Sequence, residues 1–411
     1  MSTGPLTVTG AVLDGEEVAV RCVEGTIAAL GREVKPEPGD ETIDAAGGPL
    51  VAPLLNGHTH AAMTLFRGYG GDLPLMRWLR EVIWPIEAKL EPEDVYWGTR
   101  LACLEMIRTG TARFWDMYWQ PGATARAVHD AGLRATIGGP LFDVDGGTEA
   151  MQATALSNLD ELAEFGPRIG AALAPHSIYT VSKGLLRWTA ERADERRLPV
   201  HIHLSETKRE VVDCVVDHGA RPAAYLDRLG LLNARTILAH GVWLDEEELA
   251  LIAERGCTVV TNPVANMKLA VGGVFPYPAA RDAGVTVGLG TDGAGSNDSL
   301  DLFSDLKLFA LAQRHANGDP TVLPAKEAWW IANGGARLEV GEPADFLLLR
   351  TESLELSLGD LYSDLVYAAG GSIVDTTVVG GRVLMRGGEV SGSEEIVARA
   401  VERSRRLGIG A

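Results

Sequence analysis

Long apolar runs, an excess of basic residues and a leader-like segment are all missing from this sequence. No stretch approaches the roughly 20 apolar residues that a membrane-spanning helix needs. The first residues, MSTGPLTVTGAVLDGEEVAV, contain neither the basic nor the apolar part of a secretory signal. The formal net charge is −19, which disfavours phosphate backbones. We therefore expect a cytoplasmic protein with neither a membrane nor a nucleic acid as its partner.

Cysteine is scarce and scattered. The four cysteines form no C-x-x-C pair, which argues against a disulfide framework or a thiolate metal site: Cys22, Cys103, Cys214 and Cys257. We expect four ordinary core thiols. The remaining composition, 46% hydrophobic and 23% charged, is that of a globular protein. At 411 residues the chain is long enough for a large α/β barrel with a smaller appended domain.

Eight short apolar segments alternate with amphipathic ones between about residue 50 and residue 292, as in repeated β/α units. The predicted strands are PLVAPLLNGHTH, ARFWDMY, RATIGGPLF, RIGAALAPHS, PVHIHLSE, RTILAHGV, CTVVTNP and VTVGLGTD. Eight parallel strands close a TIM-type (β/α)8 barrel. The best-marked helix follows Asp245 as N-cap, has Glu248 three positions on, and ends at Gly256.

Both ends of the chain have the pattern of short strands and turns. Neither end has enough strands to bury a core, so we expect the two to form one small β-sandwich beside the barrel. The predicted divisions are residues 1–52 for the N-terminal half of the sandwich, 53–340 for the barrel, and 341–411 for the C-terminal half and a terminal helix. The tryptophan-rich segments MYWQ and EAWWIA are interpreted as core positions or a contact within a homo-oligomer.

Polar residues gather at the predicted strand ends. In NGHTHAAMTLFRG, residues 56–68, His58 and His60 lie two apart and project together from the first strand. Four further strand ends carry His176, His203, His240 and Asp292. A single histidine at such a place is usually a hydrogen-bonded structural residue, but five of the nine histidines fall there. The rim formed by these ends carries the active site of a β/α barrel.

Three imidazoles and one carboxylate suit zinc, which leaves a position for water at catalytic sites. A bound divalent ion lowers the pKa of its water from near 16 to about 7. His201 shares a face with His203, yet one ligand from this strand is enough. We interpret His201 as a residue that supports the ligands or packs beside them.

With these residues on strands one, four, five, six and eight, the chain resembles the amidohydrolase superfamily. Five segments look like its 5-methylthioadenosine/S-adenosylhomocysteine deaminase branch: DLPLMRWLREVIWPIEAKL, APHSIYTVS, HIHLSET, NPVANMKLA and GTDGAGSNDSLDLF. The resemblance covers essentially the whole chain. It implies one divalent metal, preferably zinc with iron or manganese as alternatives, bound by His58, His60, His203 and Asp292. No lysine lies near the end of the fourth strand to bridge two metals, so we expect a mononuclear site.

The resemblance also implies catalytic and substrate-binding roles. Glu206 would contact the substrate and transfer protons to the ring nitrogen and the departing amine, a role that suits a carboxyl group. His240 would orient the attacking water without binding the metal, and Asp292 would accept the other proton of that water. Glu87 would bind the ribose hydroxyls and His176 would face the purine. From the residues alone, Glu87 could equally be a solvated helix residue and His176 a helix cap.

The leading hypothesis is hydrolytic deamination of an adenosine-type nucleoside to the inosine analogue and ammonia. The candidate substrates are adenosine, 5′-methylthioadenosine, 5′-deoxyadenosine, S-adenosylhomocysteine and 6-aminodeoxyfutalosine. The segment IGGPLFDVDGGTEAM contains no arginine, although relatives that accept S-adenosylhomocysteine are expected to bind its carboxylate there. Guanine or pterin deamination and triazine dechlorination at the same metal site are the alternatives. A non-catalytic relative that keeps the barrel for assembly is a third hypothesis.

Overall fold

A computed structural model describes residues 4–144, 146–356 and 359–409. The strands in these ranges are β1 (Leu6–Leu13), β2 (Glu16–Val23), β3 (Thr26–Gly31), β4 (Glu41–Asp44), β5 (Leu50–Val51), β6 (Leu54–Thr59), β7 (Thr111–Met117), β8 (Arg134–Gly138), β9 (Pro140–Leu141), β10 (Ile169–Ala171), β11 (Ala174–Pro175), β12 (Val200–Leu204), β13 (Thr236–His240), β14 (Thr258–Thr261), β15 (Thr286–Leu289), β16 (Phe346–Leu349), β17 (Val374–Val379) and β18 (Arg382–Met385).

The helices are α1 (Leu75–Trp78), α2 (Trp84–Glu87), α3 (Pro92–Arg108), α4 (Pro121–Ala131), α5 (Thr148–Leu162), α6 (Lys183–Arg196), α7 (Lys208–His218), α8 (Pro222–Arg228), α9 (Glu246–Arg255), α10 (Pro263–Lys268), α11 (Tyr277–Asp282), α12 (Ala294–Asn297), α13 (Leu302–Asn317), α14 (Ala325–Ala332), α15 (Leu361–Tyr367) and α16 (Ser393–Arg406). Short 3₁₀ turns cover Ala61–Phe66, Ala163–Phe165 and Gly371–Ile373, and a π-helical turn covers Leu79–Ile83. Among the described residues, no helix combines the length and the apolar character needed to cross a membrane.

The barrel consists of two runs of parallel strands. β6, β7, β8 and β10 form one run, and β12 to β15 form the other. A bridge between Leu173 and Val200 joins the fourth strand position to the fifth. On the opposite side, the Asp292 amide donates to the His58 carbonyl over 3.0 Å, next to β15 and β6. Every predicted strand segment includes a barrel strand; the third and fourth segments each contain two short strands, and the first contains β5 in addition to β6. The predicted barrel is confirmed.

The chain ends form two four-stranded sheets. The order in one sheet is β3-β2-β1-β4, and in the other it is β18-β17-β16-β5. Both sheets contribute to one buried apolar cluster, in which Leu6 and Val20 pack with Phe346 and Val378. The predicted sandwich built from both chain ends is therefore confirmed. The divisions at residues 52 and 340 stay predictions.

The terminal helix α16 packs against α3 of the barrel. The guanidinium of Arg406 contacts the buried carboxylate of Asp94, with 2.9 Å between Nε and Oδ1. Ala400 and Leu407 belong to the same apolar cluster as Phe66. The last helix thus covers part of the barrel next to the first 3₁₀ turn.

Two local predictions are confirmed. Asp245 caps α9, because its Oδ1 accepts from the Glu248 amide over 3.0 Å, and Gly256 ends the helix at φ +69°. All four cysteines are buried and free. Burial raises the pKa of each thiol to about 11 or 12, so none is a reactive thiolate.

Gly98 of α3 provides a test of helix packing. A Cβ there would lie 2.7 Å from the carbonyl oxygen of Ala62, which belongs to the facing 3₁₀ turn. Alanine normally stabilises a helix by about 0.5–1 kcal/mol relative to glycine, but overpacking against rigid backbone costs roughly 1–3 kcal/mol. We expect Gly98→Ala to destabilise the protein by about 1–2 kcal/mol and to lower its Tm in thermal unfolding.

Gly184 in α6 supplies the matched control. A Cβ at this position would have only the Ser182 Oγ as a neighbour, at 3.7 Å. Gly184→Ala should leave stability unchanged or raise it by up to about 1 kcal/mol. Equal Tm changes in the two variants would contradict the proposed close contact at Gly98.

Candidate metal and substrate site

Three imidazoles meet at the carboxyl ends of the barrel strands. His58 lies in β6, His60 follows it, and His203 lies in β12, and one ligand atom of each lies within 4.8 Å of the others. Asp292 follows β15, and its Oδ1 lies 3.2 Å from the Nε2 of His60 and 3.5 Å from that of His58. The four predicted ligands therefore come together, although they belong to three different strands.

Hydrogen bonds decide which ring nitrogens face the centre of this group. The Nδ1 of His60 donates to the Met117 carbonyl over 2.6 Å, and the Nδ1 of His203 donates to the His176 carbonyl over 2.6 Å. Because a carbonyl only accepts, the Nε2 of each neutral ring carries a lone pair, and these two Nε2 atoms lie 3.3 Å apart. The Nε2 of His58 is buried and has no hydrogen-bond partner among the described residues. Converging lone pairs of this kind fit one divalent cation.

The electrostatics differ between the imidazoles of the group, since burial lowers the pKa of His58 to about 4 and that of His203 well below its ordinary value, whereas that of His60 is raised. Burial disfavours a charged imidazole, but the Asp292 carboxylate outweighs burial and raises the pKa of His60 to about 9. Burial also opposes charge on Asp292, yet His58 and His60 hold its pKa well below its ordinary value. The Gly293 amide and the Ser296 hydroxyl each donate to Asp292 over 2.8 Å. Asp292 is therefore an ionised carboxylate beside neutral or cationic imidazoles.

Left-handed backbone occurs at three strand ends of the site. Ser205, His240 and Asp292 have φ angles of +50°, +75° and +62°. Residues with a Cβ rarely adopt this conformation, and such strain clusters at functional sites. Hydrogen bonds within the barrel hold these three turns. At each turn the backbone leaves its strand at the rim of the barrel.

His240 lies beside the metal group and outside it. Its ring centroid is 5.4 Å from that of His203, and its Nδ1 donates to Asn266 Oδ1 over 2.8 Å. This bond leaves Nε2 as the acceptor. The structure thus places His240 next to the predicted ligands, and its role in orienting water without binding the metal stays a prediction.

Glu206 follows β12 in a turn that Glu210 holds. The amides of Ser205 and Glu206 both donate to the Glu210 carboxylate over 2.8 Å. Burial raises the pKa of Glu206, so its carboxyl group retains a proton more readily than an exposed one. Sequence reasoning missed Glu210. The T-x-x-E pattern from Thr207 to Glu210, which caps α7, was the available signal.

A cavity of about 640 Å³ adjoins the metal group. Its lining includes His60, His203 and Asp292 but not His58, together with the other predicted site residues Glu87, His176, Glu206 and His240. Glu87 lines it from α2, and His176 lines it from the end of β11. Burial raises the pKa of Glu87, although the neighbouring Tyr118 and Trp119 oppose the shift. The Nδ1 of His176 lies 2.9 Å from Thr180 Oγ1, and its ring stacks on Phe142 with centroids 4.4 Å apart. Glu87 is thus a cavity residue and not a solvated one.

Six aromatic side chains of the cavity wall were missed from the sequence. They are Trp78, Trp84, Tyr118, Trp119, Phe142 and Tyr179. Two of these belong to MYWQ, which the sequence interpretation assigned to the core or a subunit contact. Their position directly after β7, at the carboxyl end of a barrel strand, was the signal that they belong to the site.

The sequence profile described as the amidohydrolase family matches residues 50–384. The chain belongs to the amidohydrolase family. It is 45% identical over 422 residues to a 5′-deoxyadenosine deaminase of Methanoregula boonei, covering 98% of this chain and 93% of the relative. It is 39% identical to 5-methylthioadenosine/S-adenosylhomocysteine deaminase 1 of Archaeoglobus fulgidus, covering 94% and 96%.

Solved structures agree with the fold of this amidohydrolase. A zinc-bound adenosine deaminase from Xanthomonas campestris superposes with a TM-score of 0.92 at 35% identity, covering 98% of both chains. The zinc complex of atrazine chlorohydrolase TrzN from Arthrobacter aurescens TC1 superposes with a TM-score of 0.89 at 23% identity, covering 97% of this chain and 100% of the other. At that lower identity the second likeness shows the fold alone.

A second cavity, of about 910 Å³, adjoins the first in this amidohydrolase. Both are lined by Trp84, Glu87, Trp119 and Phe142. The charged residues among the described lining of the second cavity are Glu87 and Asp143, and no lysine or arginine is among them. Asp143 accepts from Ser182 N, Ser182 Oγ and Thr148 Oγ1 over 2.6 Å each. This space is therefore acidic and partly apolar.

Proposed function

We propose that this amidohydrolase removes the C6 amino group of 5′-deoxyadenosine and related nucleosides by hydrolysis, giving the inosine analogue and ammonia. The observation that carries the proposal is the placement of Glu87 in the same cavity as the histidine group and Glu206. A carboxylate suited to a ribose diol and a metal site suited to water activation can then act on one molecule. The names of the relatives, 5′-deoxyadenosine deaminase and 5-methylthioadenosine/S-adenosylhomocysteine deaminase, support this substrate class.

The residues present fit one zinc ion, held by His58, His60, His203 and Asp292. Imidazole nitrogen and carboxylate oxygen are donors that zinc accepts, and the zinc-bound structure at 35% identity supports the choice over iron or manganese. A bound zinc acts as a Lewis acid that makes water a nucleophile near neutral pH.

The proton transfers are assigned to side chains of the chain. Glu206, whose pKa is raised by burial, donates its proton to the purine ring nitrogen, accepts the first proton of the attacking water, and passes that proton to the departing amine. His240, with Nδ1 bonded to Asn266, accepts a hydrogen bond from the attacking water through Nε2. The ionised Asp292 accepts the second proton of that water. Water adds at C6 and ammonia leaves, and the proton on Asp292 then returns to Glu206, which restores the starting protonation of both carboxyl groups.

The second cavity indicates which 5′ group is accepted. Glu87 lines both cavities, so a ribose bound there directs its 5′ group toward Asp143. With two carboxylates and no described basic side chain in the lining, an anionic substituent is disfavoured. We propose that 5′-deoxyadenosine, adenosine and 5′-methylthioadenosine are preferred over 6-aminodeoxyfutalosine, whose substituent is anionic, and over S-adenosylhomocysteine, whose zwitterionic tail carries a carboxylate without a described basic partner in this lining.

A spectrophotometric deamination panel with zinc-loaded protein tests the proposal. Turnover is expected with the three neutral nucleosides, and the two carboxylate-bearing nucleosides should be at least about tenfold poorer in kcat/KM. Guanine, a pterin and a chlorinated triazine serve as probes of the alternative chemistries. Activity on one of these, with silence on every nucleoside, would refute nucleoside deamination and favour that alternative.

Replacing Glu87 tests the ribose contact. Glu87→Ala should raise KM for 5′-deoxyadenosine by about 10–100-fold, since hydrogen bonds from hydroxyls to a carboxylate are worth roughly 1.5–3 kcal/mol each. The same substitution should have little effect on 2′,3′-dideoxyadenosine, which lacks the diol. Glu81→Ala, an exposed carboxylate paired with Arg77 on the same segment, is the matched control. Equal losses on the two nucleosides would refute the ribose assignment.

A further inference from the structure

The three histidines of the metal group differ in what holds their second ring nitrogen. His60 and His203 donate from Nδ1 to main-chain carbonyls, which no substitution can remove. The Nδ1 of His58 lies instead 2.8 Å from the Nε2 of His201, and both rings are buried. The orientation of one predicted ligand therefore depends on a side chain.

Proton positions follow from this geometry once the Nε2 of His58 is a metal ligand. The Nε2 of His58 faces Asp292 Oδ1 at 3.5 Å, on the side where the metal group converges. A ligand nitrogen must carry a free lone pair, so the proton of His58 lies on Nδ1 and is donated to His201. His201 Nε2 is then the acceptor, and His201 carries its own proton on Nδ1. The two rings are at 89° to one another with centroids 4.9 Å apart.

The cost of this arrangement argues against a packing role. His201 Nδ1 is buried and has no hydrogen-bond partner among the described residues. Beyond His58, the ring of His201 packs edge-on near Trp115, with centroids 5.8 Å apart. A buried N–H without an acceptor is unfavourable, and an apolar side chain of similar volume would avoid it. His201 also does not line the 640 Å³ cavity, so it has no direct contact with a substrate there.

We propose that His201 is a positioning residue for metal binding: a neutral acceptor that fixes the ring of His58 and keeps its Nε2 unprotonated toward the metal. The inference rests on the metal-dependent part of the proposed function and is independent of which nucleoside is the substrate. Substitution of His201 is therefore expected to lower metal affinity, and to lower kcat only because less metal is bound.

Zinc affinity without substrate is the decisive measurement. Stripped protein is titrated with zinc against a chromophoric chelator. His201→Leu should weaken zinc binding by about 10–100-fold, which is the usual effect of losing a residue that orients a metal-binding histidine. His201→Gln, whose side-chain oxygen can accept from His58, should stay within about threefold of the unaltered protein. Trp115→Phe changes the packing of His201 and keeps its acceptor, so zinc affinity should also stay near the original value.

Two outcomes would overturn the proposal. One is equal weakening by leucine and glutamine, and the other is unchanged affinity in a folded His201→Leu protein. If the leucine variant does not fold, ¹⁵N-histidine NMR of the unaltered zinc-loaded protein decides. A proton on His201 Nδ1 supports the inference, and a proton on His201 Nε2 refutes it. None of these readouts uses a nucleoside, so failure of the deamination panel with these results intact would count against the substrate assignment only.

Discussion

Glu206→Gln is expected to lower kcat by about 10²–10⁴-fold, the usual contribution of a positioned general acid and base. Glutamine has nearly the same volume and can accept a hydrogen bond, but it cannot give up and regain a proton at the ring nitrogen. The hydrogen bonds from Ser205 and Glu206 amides to Glu210 involve the backbone, so the turn remains in place. Substrate KM should change by less than about threefold, since the loss falls on the transition state.

The measurement combines steady-state kinetics with metal analysis. The variant should retain one equivalent of metal, because the carboxylate of Glu206 is not in the ligand group. Glu247→Gln, an exposed glutamate of α9, is the matched control and should keep full activity. A fall in kcat of less than about tenfold would remove Glu206 from the proton transfers.

His203→Ala is expected to abolish stable metal binding and to lower kcat by at least about 10³-fold, since the removed ligand is one of three converging imidazoles. The two remaining histidines and Asp292 would form an incomplete shell around an open space. Zinc should raise the Tm of the unaltered protein through selective binding to the folded state, and this increase should be absent in the variant.

Elemental analysis after dialysis gives the direct readout for His203. His315→Ala, which removes an exposed histidine of α13, controls for the loss of any imidazole. Retention of a full equivalent of metal by His203→Ala, together with the zinc-dependent rise in Tm, would contradict the assignment of this residue as a ligand.

The barrel was predictable from the sequence because its signals are local. Each strand is a short apolar run, and each helix between them has an amphipathic period and, in α9, a capping box. The pairing of β5 with β16 was not predictable at residue level, because the two-residue strand Leu50–Val51 has no sequence feature that identifies its distant partner strand. The sequence supported only a coarser prediction: each chain end has too few strands to bury a core, so the two ends must form one sandwich together.

The convergence of the four predicted ligands was foreseeable for a related reason. His58, His60, His203 and Asp292 lie at the ends of strands, and a closed parallel barrel brings all such ends to one rim. The aromatic wall and the role of Glu210 depend on how loops return over that rim, which has no sequence period. The contact between His58 and His201 joins residues 143 positions apart, so their common face toward the barrel interior was foreseeable and their hydrogen bond was not.

The sandwich shared by both chain ends determines the order of events on the ribosome. Leu6 and Val20 of the β1–β4 sheet pack with Phe346 and Val378, so this sheet is synthesised early and the strands β16 and β17 that cover it emerge about 300 residues later. At about 5–20 residues per second this interval is roughly 15–60 s, during which the apolar face of the nascent β1–β4 sheet has no cover. The barrel strands are complete before β16 to β18 are synthesised. Growth conditions that slow translation therefore lengthen the time for which this apolar surface is exposed during synthesis.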